Sequence, residues 1–175
     1  RVRWVLEDFA PSIEVYSIDE AFLDLRGMQN IDFDQYAKTI SKTCYKMTSI
    51  PVSVGIAPTK TLAKIASKLC KQYPRLQGGC YMHRPEDIEK VLRKYPIEDV
   101  WGIGRRTTAK LKLMGINTAY DYTQLSETRV RSLFNITGLR TWKELQGTPC
   151  IEFEDGFEAK QSICVSRSFS SEIYE

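Results

Sequence analysis

The stretch Tyr16-Ser17-Ile18-Asp19-Glu20-Ala21-Phe22-Leu23-Asp24-Leu25 decides how the rest of the chain is read. Adjacent carboxylates, Asp19 and Glu20, stand between two short apolar runs. Ile13 to Ile18 upstream and Ala21 to Leu25 downstream both have strand character. So little chain separates them that the connection is a tight hairpin, with the acidic pair at or beside its turn. Carboxylates this close repel each other unless a cation lies between them. Oxygen ligands suit Mg²⁺, which takes one or two carboxylates together with substrate phosphates. Taken alone, the same residues also suit a solvated acidic turn.

Around the hairpin the pattern is that of an open sheet with helices. Arg1 to Ala10 predicts a helix end closed by Pro11. Asp34 to Thr48 predicts a helix with Tyr36, Ile40, Cys44 and Met47 on one face. Pro51 to Ile56, rich in β-branched residues, predicts a strand. Thr59 is the expected N-cap of a helix running to about Tyr73, ended by Pro74 and the Gly78-Gly79 pair. Cys80 to Met82 closes the segment as a short strand. The order β, β, α, β, α, β suits a sheet with helices packed on it.

In the helix from Lys60 to Tyr73, the lysines Lys60, Lys64, Lys68 and Lys71 fall on one side. Leu62, Ile65, Ala66, Leu69 and Tyr73 fall on the other. Like charges at i, i+4 destabilise a helix slightly, and a polyanion would remove that cost. A plain solvated face is the other reading of the same residues.

Beyond His83 the composition turns to helix formers and turns. Pro85 to Tyr95, Arg105 to Met114 with Gly115 as C-cap, a helix opened by Ser126, and a short one between Gly138 and Gly147 are expected. Trp101-Gly102-Ile103-Gly104 between the first two helices has the form of a helix-hairpin-helix, and Arg105 and Arg106 follow at once. Glycines let a backbone approach closely, and a helix N-terminus offers free N–H groups to a phosphate. Such a grip reads DNA backbone rather than bases. Trp4, Trp142, Tyr120 and Tyr122 read as core, and His83 has no neighbour in sequence for metal or nucleophilic work.

The chain has 175 residues, 42% of them hydrophobic, enough for a real core. No apolar run is long enough to span a bilayer, and no signal-peptide pattern opens it, so the expectation is a cytoplasmic protein. The five cysteines, Cys44, Cys70, Cys80, Cys150 and Cys164, show no CxxC spacing, which argues for reduced, mostly buried thiols rather than a zinc site. Net charge is only +3, but it is unevenly placed. Residues 1 to 34 set three cations against eight acids, whereas residues 60 to 75 carry five cations and no acid. One region is suited to metal ions and the other to phosphate.

Three blocks together resemble the Y-family DNA polymerases, the translesion enzymes. Glu14-Val15-Tyr16-Ser17-Ile18-Asp19-Glu20-Ala21-Phe22 is similar to the family's second carboxylate motif. Pro51 to Lys68 is similar to the next palm segment, and Asp99 to Arg106 to the start of the thumb hairpin. The blocks stand in the family's order, with wording nearest the UmuC type. The resemblance implies an α+β protein: a partial ferredoxin-like palm over residues 1–83, an all-α helix-hairpin-helix thumb over 84–150, and 151–175 as a linker into a little-finger domain. It also implies transfer of deoxynucleotides to a primer end on a DNA template during damage tolerance. Asp19 and Glu20 would hold two Mg²⁺ ions about 3.5–4 Å apart. Lys71 falls where the family holds the incoming triphosphate. Lys60, Lys64 and Lys68 would make lesser contacts or simply be solvated, and Gly102, Ile103, Gly104, Arg105 and Arg106 would grip duplex DNA.

By the same resemblance the partners are primer-template DNA, deoxynucleoside triphosphates, a sliding clamp, an accessory UmuD-type dimer and a recombinase filament. A palm-fold nucleotide cyclase and a non-catalytic DNA-binding module stay open as alternatives. The family's further carboxylate strand and fingers precede the hairpin, whereas here only Arg1 to Ser12 do, and the chain does not open on Met. The expectation is therefore a piece of a longer polymerase, inactive alone and with one edge of its acidic hairpin unpaired.

Overall fold

A computed structural model describes residues 2–10, 12–17, 20–25, 28, 30–151 and 162–167. Strand β1, Ser12–Ser17, and strand β2, Glu20–Asp24, form the expected antiparallel hairpin. Ser17 pairs with Glu20, and the register is irregular between Val15 and Ser17. Ile18 and Asp19 lie outside the described residues.

Helix α1, Val2–Glu7, precedes the hairpin and helix α2, Phe33–Thr48, follows it. Asp32 caps α2 by accepting from the Gln35 N–H, and Ala37, Ile40 and Cys44 form its buried face. Met47, expected on that face, is exposed in the last turn. Strand β3, Val52–Ala57, is buried along its whole length and leads through the N-cap Thr59 into helix α3, Lys60–Gln72. Strand β4, Gly79–Tyr81, pairs parallel to β3.

Two glycines set the helices on the sheet. A Cβ on Gly55 would stand 2.3 Å from the Ser67 nitrogen and 2.4 Å from the Ala63 oxygen, so only glycine lets α3 lie directly on β3. Gly79 does the same for α2, where a Cβ would stand 2.4 Å from the Lys38 nitrogen. Alternation along the strands then divides the core. Ala21, Leu23, Val54 and Ile56 pack with α1 and α2, whereas Phe22 and Ala57 pack with α3 and the helical half.

The sheet has five strands in the order β1-β2-β5-β3-β4, where β5 is Ser162–Arg167. Within residues 151–175, expected as a linker into a further domain, the described residues 162–167 form a strand of this sheet. Residues 162–167 run antiparallel to both β2 and β3 and are the central strand. The strand-like sequence Ser-Ile-Cys-Val-Ser-Arg finds two unpaired ladders side by side, and filling that slot satisfies the backbone groups of both. The inner edge of β2, expected to be open, is therefore paired, and β1 carries the open edge.

The second half is helical, as expected: α4, Pro85–Lys94; a 3-10 turn at Ile97–Asp99; α5, Arg105–Leu113; α6, Ala119–Thr123; α7, Glu127–Leu133; and α8, Ile136–Leu145. It does not close a core of its own. Leu62, Ile65 and Ala66 of α3 share one apolar cluster with Leu92, Ile97, Leu111, Tyr122 and Leu145. Tyr122 is fully buried, and its hydroxyl donates to the Gly138 carbonyl at 2.7 Å. Trp4, by contrast, is exposed.

Candidate active site

Helix α3 organises the site because its lysines do not face bare solvent. Each of the first three meets a carboxylate from a different element. Lys60 pairs with Glu14 on β1. Lys64 Nζ lies 3.1 Å from Glu20 Oε2 on β2, and Lys68 Nζ lies 3.1 Å from Asp99 Oδ2 in the 3-10 turn. The row runs from interior to surface. Lys60 is 2% exposed, the Lys64 and Glu20 side chains are about one-fifth exposed, and those of Lys68 and Asp99 are each 40% exposed.

Lys60 is thus a correction to the expected phosphate contact. Charged groups are almost never fully buried unless paired, and this ammonium sits between Glu14 and the face of Phe22, 4.8 Å from the ring centroid. Glu14 and Tyr16, two residues apart on β1, both reach toward α3. That spacing was the available signal for Glu14, but that it would meet α3 was not legible in sequence.

A cavity of about 240 Å³ opens beside the second and third pairs, lined by Glu20, Lys64, Lys68, Lys71, Tyr95, Asp99 and Trp101 among others. Lys71 is exposed in the last turn of α3, at the cavity's rim. Burial, and then the nearby Asp99 carboxylate, push the Tyr95 phenol up, so it lines the wall as a neutral group.

Trp101 joins the two halves. Its Nε1–H donates to the Tyr16 hydroxyl at 3.1 Å, and the two rings meet edge to face at 5.4 Å. Lys64 Nζ lies 5.0 Å from the Tyr16 ring centroid and 4.9 Å from that of Trp101. Both stand in motifs quoted from the sequence, but neither ring was given a role there, because a lone aromatic carries no partner information.

Glu144 of α8 is the second joint. Its carboxylate is fully buried and accepts from the Thr61 N–H and Thr61 hydroxyl, both at 3.0 Å, and from the Cys150 N–H at 2.7 Å. A negative group at the start of α3 also suits the helix dipole.

The tip of α5 lies just past Trp101. Gly102 has φ +90°, and a Cβ there would stand 2.5 Å from Thr141 Oγ1. Gly104 is the N-cap of α5, with no side-chain cap and open space where a Cβ would be. Ile103 is buried and anchors the turn, while Arg105 and Arg106 are exposed and make no ion pair among the described residues. The first-turn N–H groups and two arginines face outward together, a ready seat for an anion.

Glu20 supplies the cavity with a hard oxygen donor of the kind Mg²⁺ takes. Asp19, its expected partner, lies outside the described residues, and no group of three or more metal-ligating side chains occurs among the described ones.

Comparison with known proteins agrees with this arrangement. The impB/mucB/samB family matches residues 1–68, and its helix-hairpin-helix motif matches residues 85–116. Protein UmuC of Salmonella typhimurium is 43% identical over 175 residues, covering 99% of this chain and 42% of the relative. DNA polymerase IV of Cronobacter sakazakii is 31% identical, covering 99% of this chain and 48% of the relative. A DinB family error-prone DNA polymerase from Sulfolobus solfataricus superposes with TM-score 0.67 at 28% identity, over 88% of this chain and 46% of that one. The insertion ternary complex of Dbh DNA polymerase superposes with TM-score 0.66 at 28% identity, over 83% and 42%. The chain thus spans less than half the length of these relatives. With the acidic hairpin, the lysine helix and the glycine-tipped α5 matched in one order and one fold, the chain belongs to the impB/mucB/samB family, the UmuC type among Y-family DNA polymerases.

Proposed function

We propose that this chain is the palm and thumb part of a translesion DNA polymerase, one that adds deoxynucleotides to a primer end opposite damaged template. The observation that carries the reading is convergence: Glu20, Lys64, Lys68 and Lys71 line one cavity, and the helix-hairpin-helix tip begins at Trp101, which lines the same cavity. Phosphoryl transfer asks little of a protein besides positioning and charge. In this reading Glu20 and Asp19 hold divalent metal, Mg²⁺ in the working enzyme, which stabilises the attacking and leaving oxygens. Lys71 at the rim neutralises triphosphate. Gly102 to Arg106 hold the duplex by its backbone. Lys64 and Lys68 are the nearer cations, and Lys60 is structural.

The exposed arginines at α5 favour a DNA-directed enzyme over a nucleotide cyclase, which has no use for a duplex backbone. A sliding clamp, an accessory UmuD-type dimer and a recombinase filament belong to this proposal through the UmuC-type relatives, as does a cytoplasmic location. No helix among the described residues is long and apolar enough to cross a membrane. The test is primer extension on a templated duplex by the full-length protein. Glu20→Ala should abolish nucleotide addition while DNA binding persists. Extension at a near-normal rate by that variant would overturn the assignment.

A further inference from the structure

We propose that Lys64 is the resident counter-cation of Glu20, held there by Tyr16 and Trp101, and that it yields this carboxylate when a divalent cation arrives. The proposal rests on reading Glu20 as a metal ligand. Its own support is the geometry around one ammonium group. Lys64 Nζ sits 3.1 Å from Glu20 Oε2, and the faces of Tyr16 and Trp101 lie at 5.0 and 4.9 Å. The Trp101–Tyr16 hydrogen bond fixes the two rings across the boundary between sheet and helical half.

The neighbouring pairs show why this one is suited to exchange. Lys60–Glu14 is nearly buried, its side chains 2% and 11% exposed, while Lys68–Asp99 is open to water on both sides. Lys64–Glu20 is intermediate, and both its members line the cavity. A cation entering there competes directly with the ammonium for the same oxygen. The displaced ammonium then needs an anion, and Lys68 and Lys71 already line the wall on which a polyphosphate would lie. Metal entry and phosphate entry are therefore coupled through Lys64. Because Lys64 also touches Trp101, its release loosens the contact that holds the helical half against the hairpin.

Mn²⁺ binding to the 175-residue chain, followed by the electron paramagnetic resonance signal of free Mn²⁺, tests this without any measurement of catalysis. An internal competitor lowers apparent affinity by the fraction of time it holds the site, so Lys64→Met should bind Mn²⁺ roughly threefold to tenfold more tightly than the parent chain. Lys64→Arg, which keeps a cation, should match the parent. Trp101→Phe, which removes the hydrogen bond to Tyr16, should move affinity in the same direction as Lys64→Met by less, and serves in its place if Lys64→Met fails to fold. Glu20→Gln should remove the site. A site that Glu20→Gln removes, but that Lys64→Met and Trp101→Phe leave unchanged or weaken, would overturn the exchange and spare the metal reading. No site in the parent or in either tightened variant would overturn both.

Discussion

The lysine row of α3 and the arginine pair of α5 are alike in sequence and opposite in the folded chain. Both are clusters of cations at a helix surface with no acid beside them in sequence. In the structure, Lys60, Lys64 and Lys68 are matched one by one with Glu14, Glu20 and Asp99, whereas Arg105 and Arg106 stay exposed and unpaired among the described residues. The difference teaches that a basic helix face is not by itself a nucleic-acid surface. A helix laid along a sheet meets whatever the strands and the neighbouring turn carry, and here they carry acids. A helix tip that projects from a glycine turn meets solvent, and its charges remain for a ligand.

Four variants can break or sharpen that contrast. The largest effect is expected at the buried end of the row. Lys60→Met leaves Glu14 without its partner in the interior, and removing one member of a buried pair costs about 3–5 kcal/mol. Urea unfolding followed by circular dichroism would read it, and a loss below about 1 kcal/mol would show that Lys60 is not a structural ion pair.

Next comes the joint at the start of α3. Glu144→Gln keeps the shape but turns an acceptor-only group into one that must also place an NH₂ among N–H and hydroxyl donors. Hydrogen bonds to a charged group are worth about 1.5–3 kcal/mol, so a loss near 2 kcal/mol is expected. Stability equal to that of the parent in the same denaturant series would mean that the carboxylate is not the joint described here.

The exposed end of the row should matter least among the lysines. Lys68→Ala breaks a pair open to water, and such pairs contribute about 0–1 kcal/mol. A loss as large as that of Lys60→Met would collapse the gradient from interior to surface.

The smallest effect on stability is expected at the tip. Arg105→Ala with Arg106→Ala should shift unfolding by no more than about 0.5 kcal/mol, because neither side chain holds the fold together. The same double variant should weaken duplex binding without changing sequence preference. Loss of two phosphate contacts should reduce the slope of log affinity against log salt by about 2, read by fluorescence anisotropy. An unchanged slope would remove α5 from the DNA interface.

Much of this was legible before any coordinates. The hairpin around Asp19-Glu20 follows from two strand-like runs with almost nothing between them. Helix α3 and its cap follow from Thr59 and the period of the apolar residues. The α5 tip follows from glycines placed where a positive φ and a bare helix end are needed, and Gly102 has that positive φ. Such features depend on residues close in sequence, and local sterics and hydrogen bonding settle them.

What sequence could not show is who meets whom. Glu14 reaches Lys60 across 46 residues, Tyr16 reaches Trp101 across 85, and Glu144 reaches Thr61 across 83. Residues 162–167 read as a departing linker because nothing in their own sequence says which strands lie open on either side. The sequence by itself determined most of the helices, strands and tight turns, since those are fixed by the backbone preferences of neighbours. Only the tertiary structure decided which charges are spent on the protein and which stay available, because that depends on desolvation and partner distance, and both arise only when distant segments pack.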